Sequence, residues 1–384
     1  MSGASVPVRV VLGLGLLASV GCRAPTVSSP SVARGAAPRP EAAAVAVEAS
    51  ADAAKTAPAP TVVEAAPTAE VDDGPLAPLP PEVRDQLAAI RPDPAPKHLV
   101  RDTHYWISNE QSHFLWHDVV EGKGGTLLGV ATDQNYMLAG WARSELLVLM
   151  DFDAAVVDLH RVYGVLFRRA SSPSEFLAMW SAERAAEVER WLRADLPADR
   201  LDDALAAHAS ARELVEARLR AVDRQYRARG LATFLSDDAQ FRHVQTLWRN
   251  GRVVAVRGDL TAEHTMADLG AALTAADLPI GVLYLSNAEQ YFRYGASFRR
   301  NVRGLPMAPD GVVLRTHGWI QFRYVADEDY HYNHQPAPLF AEWMAKGRAW
   351  GVAAMLEART KTKVRGVSVL DRPPPRRGAP APSR

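Results

Sequence analysis

Cysteine is almost missing from this chain. Cys22 is the one example in 384 residues, so no internal disulfide forms and no CxxC or Cys/His zinc site exists. Net charge is missing too, because 44 Lys and Arg balance 44 Asp and Glu. A dedicated nucleic-acid binder shows a basic excess on one face, and this balance argues against one. Aromatic residues are almost absent between positions 23 and 97, where the chain is Ala, Pro, Val, Thr and Glu. Such a stretch buries too little apolar surface to offset chain entropy, which predicts a disordered tether. As a coil of about 75 residues it reaches on the order of 50 Å. Residues 81–90 are a short amphipathic piece within it, with transient helix expected. The tail at 372–384, PPPRRGAPAPSR preceded by Arg372, is expected to be disordered as well.

No apolar run is long enough to span a bilayer. The most hydrophobic one, residues 10–20, follows Arg9 and ends in Ser19-Val20-Gly21-Cys22. A positive start, a short apolar stretch and small residues before a lone cysteine resemble the bacterial lipoprotein signal. That resemblance implies lipidation of Cys22, a membrane anchor and a cell-envelope location, with residues 1–22 as the signal. Gly13-Leu14-Gly15 imitates part of a dinucleotide fingerprint, but no strand–turn–helix unit surrounds it.

What remains, residues 98–371, has the size of one α/β domain. Its organising stretch is 124–163. Residues 126–131 and 146–150 are short apolar runs without alternation, the pattern of strands covered by helices on both faces. Residues 135–143 between them suit a crossover helix. Three further strands are predicted at 251–260, 279–286 and 311–316, with helices starting at 154, at Thr261 or Thr265, and at 287. Ser172-Pro173-Ser174-Glu175 is a capping box with proline at the first helical position. It opens a charged, helix-rich insertion at about 172–250, between strands 2 and 3, with Trp180, Trp191 and Leu192 as packing positions. This insertion is a candidate lid. Residues 104–108 read as a strand or edge segment, and Asn109 or Ser112 as the cap of a helix ending at Val120.

Each predicted strand closes on polar residues, and ligands of doubly wound sheets bind at the carboxyl ends of the strands. Thr132, Asp133 and Asn135 follow the first strand, Asp151 and Asp153 the second, Asp259 the third, Ser286 and Asn287 the fourth. An acid about 20 positions after the first turn is where a ribose diol is held, a place that Asp151 and Asp153 both fit. Asp153 equally suits a helix N-cap. Ser286 follows a buried strand like a hydrolase nucleophile, but within LSN rather than GxSxG. His113 and His117 share a helical face and read as packed beside Trp116, with no third ligand at motif spacing. The His331–His334 segment, HYNH, reads as a surface hairpin or loop of polar and aromatic residues, and no metal is expected at either place. The basic, aromatic run 291–303 reads as solvated arginines on a helix.

Strand order and acidic strand ends together resemble a class I S-adenosylmethionine-dependent methyltransferase domain, over about residues 100–330. More narrowly, the chain is similar to bacterial lipoproteins that carry such a domain. The resemblance implies a doubly wound, mostly parallel sheet with S-adenosylmethionine at the strand ends. By position it places Gly129, Asp133 and Asn135 under the methionine part and Asp151 or Asp153 on the ribose. It puts Asp259 near the adenine, with Ser286 and Asn287 facing the substrate and Asn287 as the acceptor-orienting group. These enzymes show a Gly-rich first loop, whereas residues 129–135 hold one glycine. Either Asp133 and Asn135 make the contacts with side chains, or the site is remodelled. The rival expectation is a non-catalytic envelope module that uses the crevice, or the Arg/Tyr surface, to bind a partner.

Overall fold

The computed structural model describes residues 76–375. The signal, Cys22, the tether up to position 75 and the end of the tail lie outside the described residues. The strands are β1 (Thr126–Val130), β2 (Leu146–Asp151), β3 (Val253–Arg257), β4 (Ile280–Tyr284), β5 (Met307–His317), β6 (His331–Pro336), β7 (Thr360–Lys361) and β8 (Val367–Val369). The first helices are α1 (Pro81–Ala88), α2 (His117–Val120), α3 (Gln134–Ala142), α4 (Ala154–Arg169), α5 (Pro173–Ala178) and α6 (Ala185–Asp195). The rest are α7 (Ala198–Arg227), α8 (Asp238–Arg249), α9 (Thr265–Ala275), α10 (Ala296–Arg303), α11 (Ala337–Lys346) and α12 (Val352–Leu356).

All eight strands form one mixed sheet in the order β3-β2-β1-β4-β5-β6-β8-β7. The five predicted strands are its parallel half, with β2 paired to both β1 and β3, and β4 to both β1 and β5. Beyond β5 the sheet continues differently, because β6 runs antiparallel to β5 and β8 lies next to β6.

Alternate strand residues feed two separate cores. Leu127, Leu147, Leu149, Val282, Tyr284 and Leu314 pack on one face under α3 to α8. Leu128, Val148, Met150, Leu283 and Val313 pack on the other under α1 and α9 to α12. The chain is therefore an α/β domain with helices on both faces of a mostly parallel sheet, and burial on both sides explains the unbroken apolar runs.

The insertion between β2 and β3 is all helical, and its start matches the capping signal. Ser172 accepts from the Glu175 N–H, while Glu175 reaches back to Ser171 rather than to Ser172. Its Phe176, Trp180, Phe234 and Phe241 form a fully buried aromatic core together with Tyr163 and Phe167 of α4. Three boundaries differ from expectation. The folded part begins earlier than residue 98, because Leu79, Leu87 and Ile90 are buried in the second core around α1. Residues 104–108 join no strand ladder, and Ser112 makes no cap bond. The HYNH segment opens strand β6, antiparallel to β5 as in a hairpin, but it is buried rather than on the surface, since its polar groups find partners inside. Asn333 donates to the Arg315 carbonyl at 3.2 Å, and His331 Nε2 lies 2.7 Å from Ser368 Oγ.

Candidate functional site

A cavity of about 340 Å³ opens at the carboxyl ends of β1 to β4. Neighbouring strands β1 and β4 lead the chain away in opposite directions, β1 toward β2 and β4 toward β5. The crevice at such a reversal is where open α/β sheets take ligands. Asp151 and Phe152 line it after β2, Asp259 and Leu260 after β3, and Ser286 and Asn287 after β4. Tyr291 and Phe292 add aromatic wall, and Tyr105, Ile107 and Ser108 cover the cavity from the N-terminal side.

Two strand ends in this wall take a left-handed backbone without being glycine, Ala131 at φ 66° and Ser286 at φ 50°. Such conformations cost about 1–3 kcal/mol each and persist where surroundings hold them. For Ala131 the holders are explicit. Its N–H donates to Asp151 Oδ2 at 3.1 Å, and its carbonyl accepts from His160 Nε2 at 2.8 Å. His160 Nδ1 in turn accepts from the Tyr136 hydroxyl at 2.8 Å. Burial pushes this imidazole down to about 4, so the ring is neutral and carries its proton on Nε2.

Asp151 is the electrostatically unusual group of the cavity. Burial first, and then the neighbouring Asp153 charge, push its carboxyl up to about 7 against the restraint of backbone N–H donors. Those donors include Ala131 to one oxygen and Asp153, at 2.9 Å, to the other. The backbone donors do not use all the acceptor capacity of the carboxylate, so a ligand hydroxyl donating to Asp151 would relieve its desolvation.

Behind the wall lies a carboxylate that no spacing in the sequence signals. Glu110 is fully buried and accepts from Ser286 Oγ at 2.8 Å, Ser108 Oγ at 3.1 Å, and the Tyr284 and Thr316 hydroxyls. His113 Nε2 lies 3.4 Å away. Burial alone would raise Glu110, but His113 and these hydroxyls outweigh it and hold it at about 2. A carboxylate so weakly basic is a poor general base. Ser286 is thus an anchored wall residue rather than an activated nucleophile.

The sequence-expected residues divide into two groups. Asp151, Asp153, Asp259, Ser286 and Asn287 all line the cavity. Within this group Asp153 is the N-cap of α4, accepting from the Ala155 N–H at 3.0 Å, while its other oxygen faces His104 Nδ1 at 2.7 Å. Asp259 closes its own turn through Thr261, and Asn287 donates to the Tyr330 hydroxyl at 3.3 Å. Gly129, Asp133 and Asn135 line no part of the cavity. Asp133 is buried in an ion pair with Arg218 at 2.9 Å and accepts from the Ser108 N–H at 2.8 Å. Asn135 donates to the Val130 carbonyl at 2.9 Å, with its side chain lying over Gly129. A Cβ at Gly129 would stand 1.9 Å from Asn135 Oδ1, so this glycine makes room for an asparagine rather than for a ligand.

The helical insertion contributes nothing to the cavity wall. The cover comes from residues 96–109, tied down by Asp133, by His104 against Asp153 and by Arg218, which donates to the Glu110 carbonyl at 2.8 Å. His113 packs edge-on to Trp116, with ring centroids 5.9 Å apart. Among the described residues no group of three or more His, Cys, Asp or Glu is placed to hold a metal.

Residues 105–371 match the model of a family described as a domain of unknown function, DUF7790. No curated protein matches the chain.

Proposed function

The chain belongs to the DUF7790 family, and we propose that its strand-end cavity binds a nucleoside-like ligand. The observation that supports this reading most is Asp151, a carboxylate raised to about 7 at the tip of β2, inside a crevice between oppositely leading strands. A ribose diol would donate to it, and Phe152, Tyr291 and Phe292 offer aromatic surface for a base. The order β3-β2-β1-β4-β5 is compatible with a Rossmann-like, methyltransferase-like half, with S-adenosylmethionine as the specific ligand to test.

The fit is uneven. The nucleoside half of that cofactor meets suitable groups. The amino-acid half does not, since Asp133 is committed to Arg218 and Asn135 to the β1 end. No transfer step follows from these residues. Asn287, also in the cavity wall, is the group we assign to orienting an acceptor, if one binds. The commitment of Asp133 favours the second reading, a binding module of the cell envelope without catalysis. In both readings lipidation of Cys22 tethers the domain to a bacterial membrane, and Cys22→Ser would release it from the membrane fraction and change the mature mass. Calorimetric titration of the full chain with S-adenosylmethionine, its demethylated product and adenosine tests the ligand. Heat with all three supports a nucleoside site. No heat and no thermal shift at millimolar ligand would overturn it.

A further inference from the structure

Among the described residues, strand β3 is the outer edge of the sheet and pairs only with β2. The direction of its backbone groups follows from two bonds. The Arg252 carbonyl accepts from Leu147 N–H at 3.0 Å, and Gly258 N–H donates to the Asp151 carbonyl at 2.9 Å. Residues alternate along a strand, so Val254 and Val256 also face β2, while Val253, Ala255 and Arg257 face outward. The outward Arg257 carbonyl accepts from Asp93 N–H at 3.2 Å. The outward groups of Val253 and Ala255 have no hydrogen-bond partner among the described residues.

This open edge faces a groove of about 500 Å³ that Val253 to Arg257 line along their length. Helix α1 bounds it on one side, through Arg84 and Leu87, and α4 and α7 on the other. Exposed edges are normally covered, twisted away or charged. Among the described residues this one is flanked, and covered only at its Arg257 end by Asp93, and its walls carry Arg84, Arg161, Arg200 and Arg257 against Asp158 and Asp203. Asp158 is already paired with Arg161, Arg200 is paired with Asp199 at 3.3 Å, and Arg257 donates to the Asp93 carbonyl at 2.8 Å, whereas Arg84 has no ion-pair partner among the described residues and is the free cation of the rim. We propose that the groove is a docking site for an extended peptide segment with acidic side chains, which adds to β3 as a further strand. Backbone pairing at Val253 and Ala255 supplies the affinity, and the arginine rim selects the charge. A second copy of this chain would bring the same basic rim against this one, which disfavours self-pairing.

The test is fluorescence anisotropy of the full chain with labelled acetyl-Glu-Val-Glu-Val-Glu-amide. Two analogues carry N-methyl groups on alternate amides, one set for each hydrogen-bonding edge of the peptide strand. Saturable binding is expected, lost with one analogue and kept with the other. Ala255→Pro removes only an outward N–H, a position that edge strands tolerate, and should weaken binding about tenfold. Arg84→Glu should weaken it several-fold and reduce the salt dependence. If Ala255→Pro fails to fold, the N-methyl pair and Arg84→Glu decide. No saturable binding at millimolar peptide, or equal binding of parent and both analogues, overturns the proposal. A dimer that Ala255→Pro converts to monomer also overturns it, by assigning the edge to a second copy.

Discussion

Replacing Asp151 by Asn should stabilise the protein at pH 8 and leave it no more stable than the wild type at pH 4. In the folded chain the carboxyl titrates at about 7, and its ordinary value is 3.8. Between those values the folded state holds a proton that the unfolded state has lost, so the contribution of Asp151 to stability falls as pH rises through that window. Integrated over about three units, the burden of the half-buried carboxylate is about 4 kcal/mol, fully present above pH 7 and absent below pH 4. Asparagine carries no such charge, but its amide nitrogen would face one of the two backbone N–H donors now satisfied by Asp151. An unsatisfied donor costs about 1–3 kcal/mol, leaving a net gain of about 1–3 kcal/mol at pH 8 and a loss of similar size at pH 4. Urea unfolding of both proteins at intervals between those pH values measures the difference. His160, His208 and His243 are each pushed down to about 4 by burial and tilt the curve the other way, but they are common to both proteins and cancel. A stability difference that stays constant from pH 4 to pH 8 would refute the reasoning, because it would mean that Asp151 titrates like an exposed carboxylate.

Three further outcomes follow from the same geometry. Gly129→Ala should cost about 1–3 kcal/mol by overpacking against Asn135, and most of that cost should disappear in an Asn135→Ala background, as a double-mutant unfolding cycle would show. Asp133→Ala leaves the Arg218 guanidinium buried and unpaired, so a loss of about 3–5 kcal/mol is expected. Replacing both by apolar residues should cost less than that single change. Glu110→Gln should destabilise by about 3 kcal/mol near neutral pH. Glu110 is held at about 2, below its ordinary 4.5, so the stability it contributes is present above about pH 4.5 and is lost as pH falls toward 2.

The parallel half of the sheet was legible because strands covered on both faces must be apolar throughout, and residues 126–130, 146–151 and 280–284 are nearly so. Strand β6 was not legible for the opposite reason. HYNHQP looks like a loop, and its burial becomes reasonable only once Arg315 and Ser368, distant in the chain, supply partners. The stretch before residue 98 hid its order in an Ala/Pro-rich composition, although Leu79, Leu87 and Ile90 were enough to seat α1.

Within the site, acidic strand ends were a sound guide to place and a poor guide to role. Asp151 and Asp133 look alike in sequence, yet one lines the cavity and the other is neutralised by Arg218, 85 positions away. Residues 104–108 show the limit of β-propensity. Aromatic and β-branched, they cover the cavity instead of joining the sheet, held by side-chain bonds that local pattern does not encode. Glu110 had no local signature at all, because its donors come from residues spread between Ser108 and Thr316.

The central claim is that the crevice above β1 to β4 holds a nucleoside with its sugar hydroxyls on Asp151. A crystal structure of the full chain soaked with adenosine at pH 8 tests this most directly. Ligand density is expected in the cavity, with ribose hydroxyls within hydrogen-bonding distance of Asp151 and the base against Tyr291 or Phe292. Density only at other surfaces, or an unchanged cavity at saturating adenosine, would contradict it.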